Sequence, residues 1–248
     1  MRRVLFTWRG RCVWSYPAFL FIGLNAGIVA QNCAAHIARL DSFWVFVATF
    51  LLLPLALIGS RVLFVAAEWR VYAAAPRRIW QRSDGGMSMY GAVPLMLASS
   101  VPVLRWLALP FWKFWDVSTF CILTGMFFTR IGCLLNGCCA GRSSDSPLAI
   151  CLLDSHGERR RIPTQLLEAV FALALLVAAS ATWGRLRMPG LLFLAVLATY
   201  AAGRVPLQAM RAERERLGRI DIQQAISVAL LIFSLSGLAL LSGFGGPR

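Results

Sequence analysis

The chain has 248 residues, 58% of them apolar, with a formal charge of +14 and a mean hydropathy of +0.67. So apolar a composition excludes an ordinary soluble domain and points to an integral helical membrane protein. The charge is almost all arginine, Lys113 being the only lysine, and it falls between apolar runs. Anionic phospholipid headgroups are therefore the expected partner, and nucleic acid is not.

In chain order, Arg2, Arg3, Arg9 and Arg11 precede a first apolar span at 16–35. No small-residue cleavage site follows it, so it reads as a retained span. The second span covers 43–67 and carries Gly59-Ser60-Arg61, with Glu68 two helical turns beyond the arginine. A third span covers 87–107, and a fourth covers 114–135. Pro54, Pro94, Pro102 and Pro206 fall inside spans, where membrane helices tolerate them as kinks.

The fourth span runs without a break into 128–141, which reads F-T-R-I-G-C-L-L-N-G-C-C-A-G. An unpaired arginine in hydrocarbon costs several kcal/mol, so Arg130 either snorkels to the headgroups or faces a polar cavity. At helical spacing Arg130, Cys133 and Gly137 share one face, with Gly132 and Asn136 close to it. Seven cysteines, an odd count, argue against a complete disulfide framework. Cys12, Cys33, Cys121 and Cys151 are scattered and read as small packing residues. The vicinal pair Cys138–Cys139 is the exception, although two adjacent thiols supply too few ligands for a metal site.

Residues 142–163 form the one sizeable polar insertion, a small surface cap. Its segments 148–153 and 159–162 flank Asp154-Ser155-His156-Gly157, which reads as the turn of a short β-hairpin. His36 and His156 read as solvated surface residues. Three further spans follow at 165–183, 189–210 and 220–243. In the sixth, Arg204, Gln208 and Arg211 share a face at i, i+4 and i+7. Ionisable residues inside spans default to a functional hypothesis, against which stands a purely structural ion pair such as Arg61 with Glu68 or Glu168. The pattern predicts an all-α integral membrane protein of about seven transmembrane helices, with one domain over 1–248.

Several of these stretches together resemble the prolipoprotein diacylglyceryl transferases, bacterial inner-membrane enzymes with seven spans. Residues 129–141 match the family's hallmark G-R-I-G-N-F-I-N-G-E and its later glycine, here Gly141. Gly85-Gly86-Met87-Ser88-Met89-Tyr90-Gly91 is similar to G-G-M-S-F-H-G. Pro163-Thr164-Gln165-Leu166-Leu167-Glu168 resembles H-P-S-Q-L-Y-E without its histidine. Arg204, Gln208 and Arg211 follow R-x-x-x-E-x-x-R, and Gln224-Ala225-Ile226-Ser227 resembles G-Q-x-L-S. Gly59-Ser60-Arg61 and Tyr16 also have counterparts.

The resemblance implies transfer of the diacylglyceryl group of phosphatidylglycerol to a lipobox cysteine, with release of glycerol phosphate and no cofactor. The expected catalytic set is Arg130 and Arg204 from the resemblance, Tyr90 at the place of the family's histidine, and Cys138 and Cys139 by their position beside Asn136-Gly137, where they depart from the family. The implied substrate-binding set is Asn136, Gly137, Gly141, Arg61, Tyr16, Gln165, Glu168, Gln208 and Arg211. Arg130 and Arg204 match phosphate-binding arginines. The departures fall on proton-handling groups. The family's histidine is Tyr90, the hallmark's first asparagine is Cys133 and its glutamate is Cys138. Ile162 stands before Pro163 where the family has histidine, and Gln208 replaces the acid after Arg204. Two other readings stay open: a different lipid or thiol-redox reaction at Cys138–Cys139, and a non-catalytic binding homologue. A monomer is expected. Arginine counts put the N-terminus in the cytoplasm, whereas the resemblance implies that it lies outside.

Overall fold

The computed structural model describes residues 3–80, 89–147, 149–154, 157–186, 188–212, 216–217 and 220–244. Each expected span coincides with a helix. These are α1 (Ser15–Ile37), α2 (Ser42–Ala67), α4 (Met89–Trp106), α5 (Phe111–Asn136), α6 (Thr164–Thr182), α7 (Leu191–Ala209) and α8 (Ile222–Phe244). Among the described residues, six are long and apolar enough to cross a membrane; α4 is not one of them. Pro94, Pro102, Ser99, Ser100 and Arg105 dilute its apolar character. A short helix α3 (Trp69–Ala74) and a 3-10 turn (Pro76–Trp80) follow α2.

The helices wear apolar side chains outward: Phe21, Val29, Phe50, Leu57, Val177, Ile232 and Leu240 are all exposed. Polar groups lie inside, among them Gln31, Asp116, Gln165 and Ser234. A lipid solvent favours this inversion, because apolar surface costs nothing there and polar groups must find internal partners. The chain is a multi-pass membrane protein.

Two compact units are distinguished: Met1–Ala38 with Trp115–Arg248, and Arg39–Phe114. In the second unit α2 packs on α4 with backbones in contact. A Cβ on Gly59 would stand 2.4 Å from the Gly91 carbonyl, and one on Gly91 would stand 2.2 Å from the Gly59 carbonyl. Arg61 belongs to this unit. Its Nε donates to the Ile79 carbonyl (2.9 Å), and its guanidinium lies over the rings of Phe64 and Tyr72. The described contacts therefore use Arg61 to fasten the segment after α2.

The first unit opens with a hairpin that apolar runs do not reveal, β1 (Val4–Trp8) and β2 (Arg11–Trp14). Arg9 and Gly10 both have positive φ, the two-residue turn whose twist suits antiparallel strands. Behind it, α1 packs on α5 through small residues. Gly23 meets Gly125 and Phe128, and Gly27 meets Cys121, the close approach that small residues four apart permit between membrane helices. Gln31 Nε2 donates to Ser118 Oγ (2.9 Å) across the same contact. The buried Asp116 carboxylate accepts from Gly190 N (2.6 Å) and Phe193 N (2.9 Å), capping α7 with a negative charge at its positive end.

The expected cap hairpin is present as β3 (Ile150–Asp154) and β4 (Gly157–Arg161), antiparallel with Asp154 paired to Gly157. Its turn residues Ser155 and His156 lie outside the described residues. A third small pair, β5 (Arg216–Leu217) with β6 (Ile220–Asp221), precedes α8, which Asp221 caps by accepting from Gln224 N (3.1 Å).

Candidate functional site

The hallmark segment ends α5 with a Schellman turn, and this turn organises the site. Gly137 adopts φ +78°, a left-handed conformation that glycine reaches without penalty. Gly137 N donates to the carbonyl of Leu134 (3.3 Å), and Cys138 N donates to that of Cys133 (3.2 Å). Such a turn characteristically brings the side chain two residues past the helix end onto the last turn. In most proteins that contact is apolar; here it joins the thiols of Cys138 and Cys133.

Cys139 then also takes a positive φ, +63°, which costs a residue with a Cβ about 1–2 kcal/mol. The Sγ atoms of Cys133, Cys138 and Cys139 lie within 4.8 Å of one another. Cys133 is buried, Cys138 half-buried and Cys139 exposed. Hydrogen bonds from the thiols of Cys133 and Cys139, and from the Asn136 side chain, hold the Cys138 thiol far below its ordinary pKa. The expectation of too few thiols for a metal counted only the vicinal pair; the Schellman turn adds Cys133.

The start of α6 fixes this loop. Gln165 Nε2 donates to the Cys138 carbonyl (2.6 Å), and Thr164 Oγ1 donates to the Cys139 carbonyl (2.9 Å). Gly141 completes the crossing, for its Cβ would stand 2.6 Å from the Ile162 carbonyl oxygen. The chain then bridges to the end of α7, Arg142 N donating to the Met210 carbonyl (2.9 Å). Gly141 thus serves a backbone crossing between the hallmark loop and the approach to α6.

One helical turn before Cys133 lies the charged centre. Glu168, on α6 and 1% exposed, receives three arginines. Arg130 Nε on α5 lies 2.5 Å from its Oε2. Arg204 Nη1 on α7 pairs with Oε1. Arg211 Nη2, just past α7, lies 3.0 Å from Oε1 and 3.3 Å from Oε2. Three cations and one carboxylate, +3 and −1, leave the cluster at +2. Gln208 lies between Arg204 and Arg211 in sequence, near the end of α7; it is fully buried, and neither amide atom has a hydrogen-bond partner among the described residues. Gln165 Oε1 and Arg211 Nε are likewise buried without a partner. Buried polar groups left unpaired cost about 1–3 kcal/mol each, a cost that a polar occupant would offset.

Tyr16, at the start of α1, lies within electrostatic reach of Arg130 and all three thiols. Gly132 lets α1 approach α5 here, since a Cβ there would stand 2.9 Å from Phe19 Cβ, one helical turn beyond Tyr16. The structure therefore gathers Tyr16, Arg130, Asn136, Gly137, Cys138, Cys139, Gly141, Gln165, Glu168, Arg204, Gln208 and Arg211 in the first unit. Arg61 and Tyr90 belong to the second. Gly85-Gly86-Met87-Ser88 and the side chain of Tyr90 lie outside the described residues. Sequence reasoning overlooked Cys133 as a third thiol, although its place on the Arg130 face was visible. It also overlooked Tyr200, which interacts electrostatically with Arg130 and sits one turn before Arg204 on α7.

A hydrophobic core alone does not explain three arginines folded around one glutamate beside orphaned amides. The arrangement holds a surplus of fixed positive charge in a water-poor place, which suits an anion with several oxygens. The chain matches the family model described as prolipoprotein diacylglyceryl transferase over residues 3–240. It is 29% identical over 196 residues to a phosphatidylglycerol–prolipoprotein diacylglyceryl transferase of Dehalococcoides mccartyi, covering 77% of this chain and 74% of that one. A Trichormus variabilis protein of the same name is 28% identical over 198 residues, 75% of this chain and 70% of the relative. A third, from Clostridium kluyveri, is 25% identical over 240 residues, 93% and 92% of the two chains. With its site arginines, glutamate and glycine turn gathered around α5, α6 and α7, the chain belongs to the prolipoprotein diacylglyceryl transferase family.

Proposed function

We propose that this protein moves the diacylglyceryl group of phosphatidylglycerol to a cysteine thiol of an envelope prolipoprotein, in the bacterial inner membrane. The observation that carries the reading is the +2 cluster of Arg130, Arg204, Arg211 and Glu168 beside the unpartnered Gln208 amide. A lipid phosphate would share these arginines with Glu168, accept from the amide, and leave its acyl chains to the bilayer.

In the reaction the acceptor thiol gives up its proton, which ends on the released glycerol phosphate or in solvent, and its sulfur attacks the glyceryl carbon. The bond from that carbon to the phosphate oxygen breaks, and its electron pair leaves on glycerol phosphate. Charge grows on the phosphate as the bond lengthens, and Arg130 and Arg204 would stabilise it there. Asn136 and Gly137 would serve the headgroup, and Tyr16 would border the reacting centre. Arg61 and Tyr90 are retained as candidates from the family resemblance. The lipid-holding residues keep the family's chemistry, while Tyr90, Cys138 and Gln208 replace its proton-handling groups.

The test incubates purified protein with a lipobox peptide in phosphatidylglycerol vesicles and weighs the peptide by mass spectrometry. A diacylglyceryl adduct on the peptide cysteine is expected. Its absence, from protein that still binds phosphatidylglycerol, would refute transfer to this acceptor. A C-terminal reporter fusion reads orientation; the outside N-terminus favoured by the family resemblance predicts a cytoplasmic C-terminus.

A further inference from the structure

We propose that Cys133, Cys138 and Cys139 bind one soft metal ion of low coordination number, Cu(I) held by three sulfurs. With metal–sulfur bonds of about 2.3 Å, three sulfurs in a plane around an ion stand about 4 Å apart. The three Sγ atoms already lie within 4.8 Å of one another, so closure asks for only small side-chain movements. Chance thiol neighbours are not held by their backbone in this way. The Schellman turn sets Cys138 against Cys133, and the left-handed backbone at Cys139 keeps the third residue at the cluster. Thr164 and Gln165 pin the Cys139 and Cys138 carbonyls, so the ligand loop is preorganised.

The donor set selects the ion. Among the described residues no histidine or carboxylate joins the cluster, whereas a closed structural zinc site uses four ligands. Thiolate sulfur is soft and favours Cu(I). The half-buried Cys138 and exposed Cys139 give the ion an entrance, and buried Cys133 closes the inner side. Binding leaves all three sulfurs as thiolates, releases to solvent whatever protons they still carry, and transfers no electrons. The loaded site carries −3 and +1, a net −2, and Arg130 one turn away on α5 offsets part of it.

The test titrates the purified full chain anaerobically with Cu(I), buffered by the chelator bathocuproine disulfonate. One retained Cu(I) per chain is expected, with three sulfur neighbours by X-ray absorption. In the wild-type chain, one equivalent should protect Cys138 and Cys139 from iodoacetamide while the exposed Cys12 and Cys151, outside the spans, still react. This arm needs no variant and cannot be confused with misfolding. Cys133→Ser should weaken retention at least as much as the roughly 10–100-fold that loss of a supporting group costs a metal site. Cys151→Ser should retain the ion as wild type does. Loss of all Cu(I) to the chelator, unprotected labelling of the pair, a two-sulfur signal, or displacement by equimolar Zn(II) would each overturn the proposal. The readout is the ion alone, so it is independent of lipid transfer.

Discussion

Arg130 and Arg204 reach Glu168 from two different helices and divide its carboxylate, Arg130 on Oε2 and Arg204 on Oε1. Two guanidinium groups this close repel each other in a medium of low dielectric, and a shared anion is what lets them stay together. Glu168 supplies one negative charge and Arg211 adds a third positive one. Under the proposed function, an incoming phosphate would be the second anion of a site that its first already holds together.

Replacing either arginine should weaken phosphatidylglycerol binding. Hydrogen bonds to charged groups contribute about 1.5–3 kcal/mol, and about 1.4 kcal/mol is a tenfold change. Arg130→Gln and Arg204→Gln should each lose about ten- to a hundredfold in vesicle binding. The matching lysine variants should recover only part, since they keep the charge and lose the planar fork. Near-wild-type binding in both glutamine variants, with folding intact, would leave the arginines as structural partners only.

Glu168→Gln should be the most destabilising change at the site. It leaves three arginines without their carboxylate, and removing one member of a buried ionic group costs about 3–5 kcal/mol. Thermal unfolding in detergent checks this. Added phosphatidylglycerol should raise the midpoint more for the variant than for wild type, because the lipid then supplies the only anion.

Gln208→Leu separates binding from stability. The buried amide has no partner among the described residues, so an apolar residue of similar size removes a cost of about 1–3 kcal/mol. The variant should be as stable as wild type or more so, yet bind phosphatidylglycerol more weakly. Equal lipid affinity would show that the amide does not meet the headgroup.

Cys138→Ser should abolish lipid transfer while Cys151→Ser leaves it nearly unchanged. Cys138 sits in the glycine turn with its carbonyl held by Gln165, whereas Cys151 is an exposed residue of the cap hairpin. Equal tolerance at both positions in the vesicle assay would remove Cys138 from the transfer chemistry.

Asp116→Asn tests the architecture apart from the site. The change removes the charge that faces the α7 N-terminus, an interaction contributing up to about 2 kcal/mol when partly buried. The thermal midpoint should fall, and phosphatidylglycerol affinity of the folded fraction should not change.

The sequence by itself determined the class, the spans and the segment that matters. Apolar runs of membrane-spanning length leave a chain no stable choice but helices, so the helix positions follow from composition. A glycine at 137 after an apolar run announces a helix end, and charges inside spans announce a site. The cap hairpin was legible for the same local reason, a turn between two extended segments. The N-terminal hairpin was not, because its turn depends on left-handed backbone at Arg9 that no residue type there demands.

Only the tertiary structure decided which charges meet. Helical spacing puts Arg204, Gln208 and Arg211 on one face of α7, but it cannot say that Glu168 of α6 and Arg130 of α5 face them. Nor could it say that Arg61 donates to the backbone carbonyls that follow α2. The third thiol of the cysteine cluster also came from three dimensions. Cys133 and Cys138 are five apart in sequence, a separation no regular helix brings into contact, and the Schellman turn supplies the reversal that does.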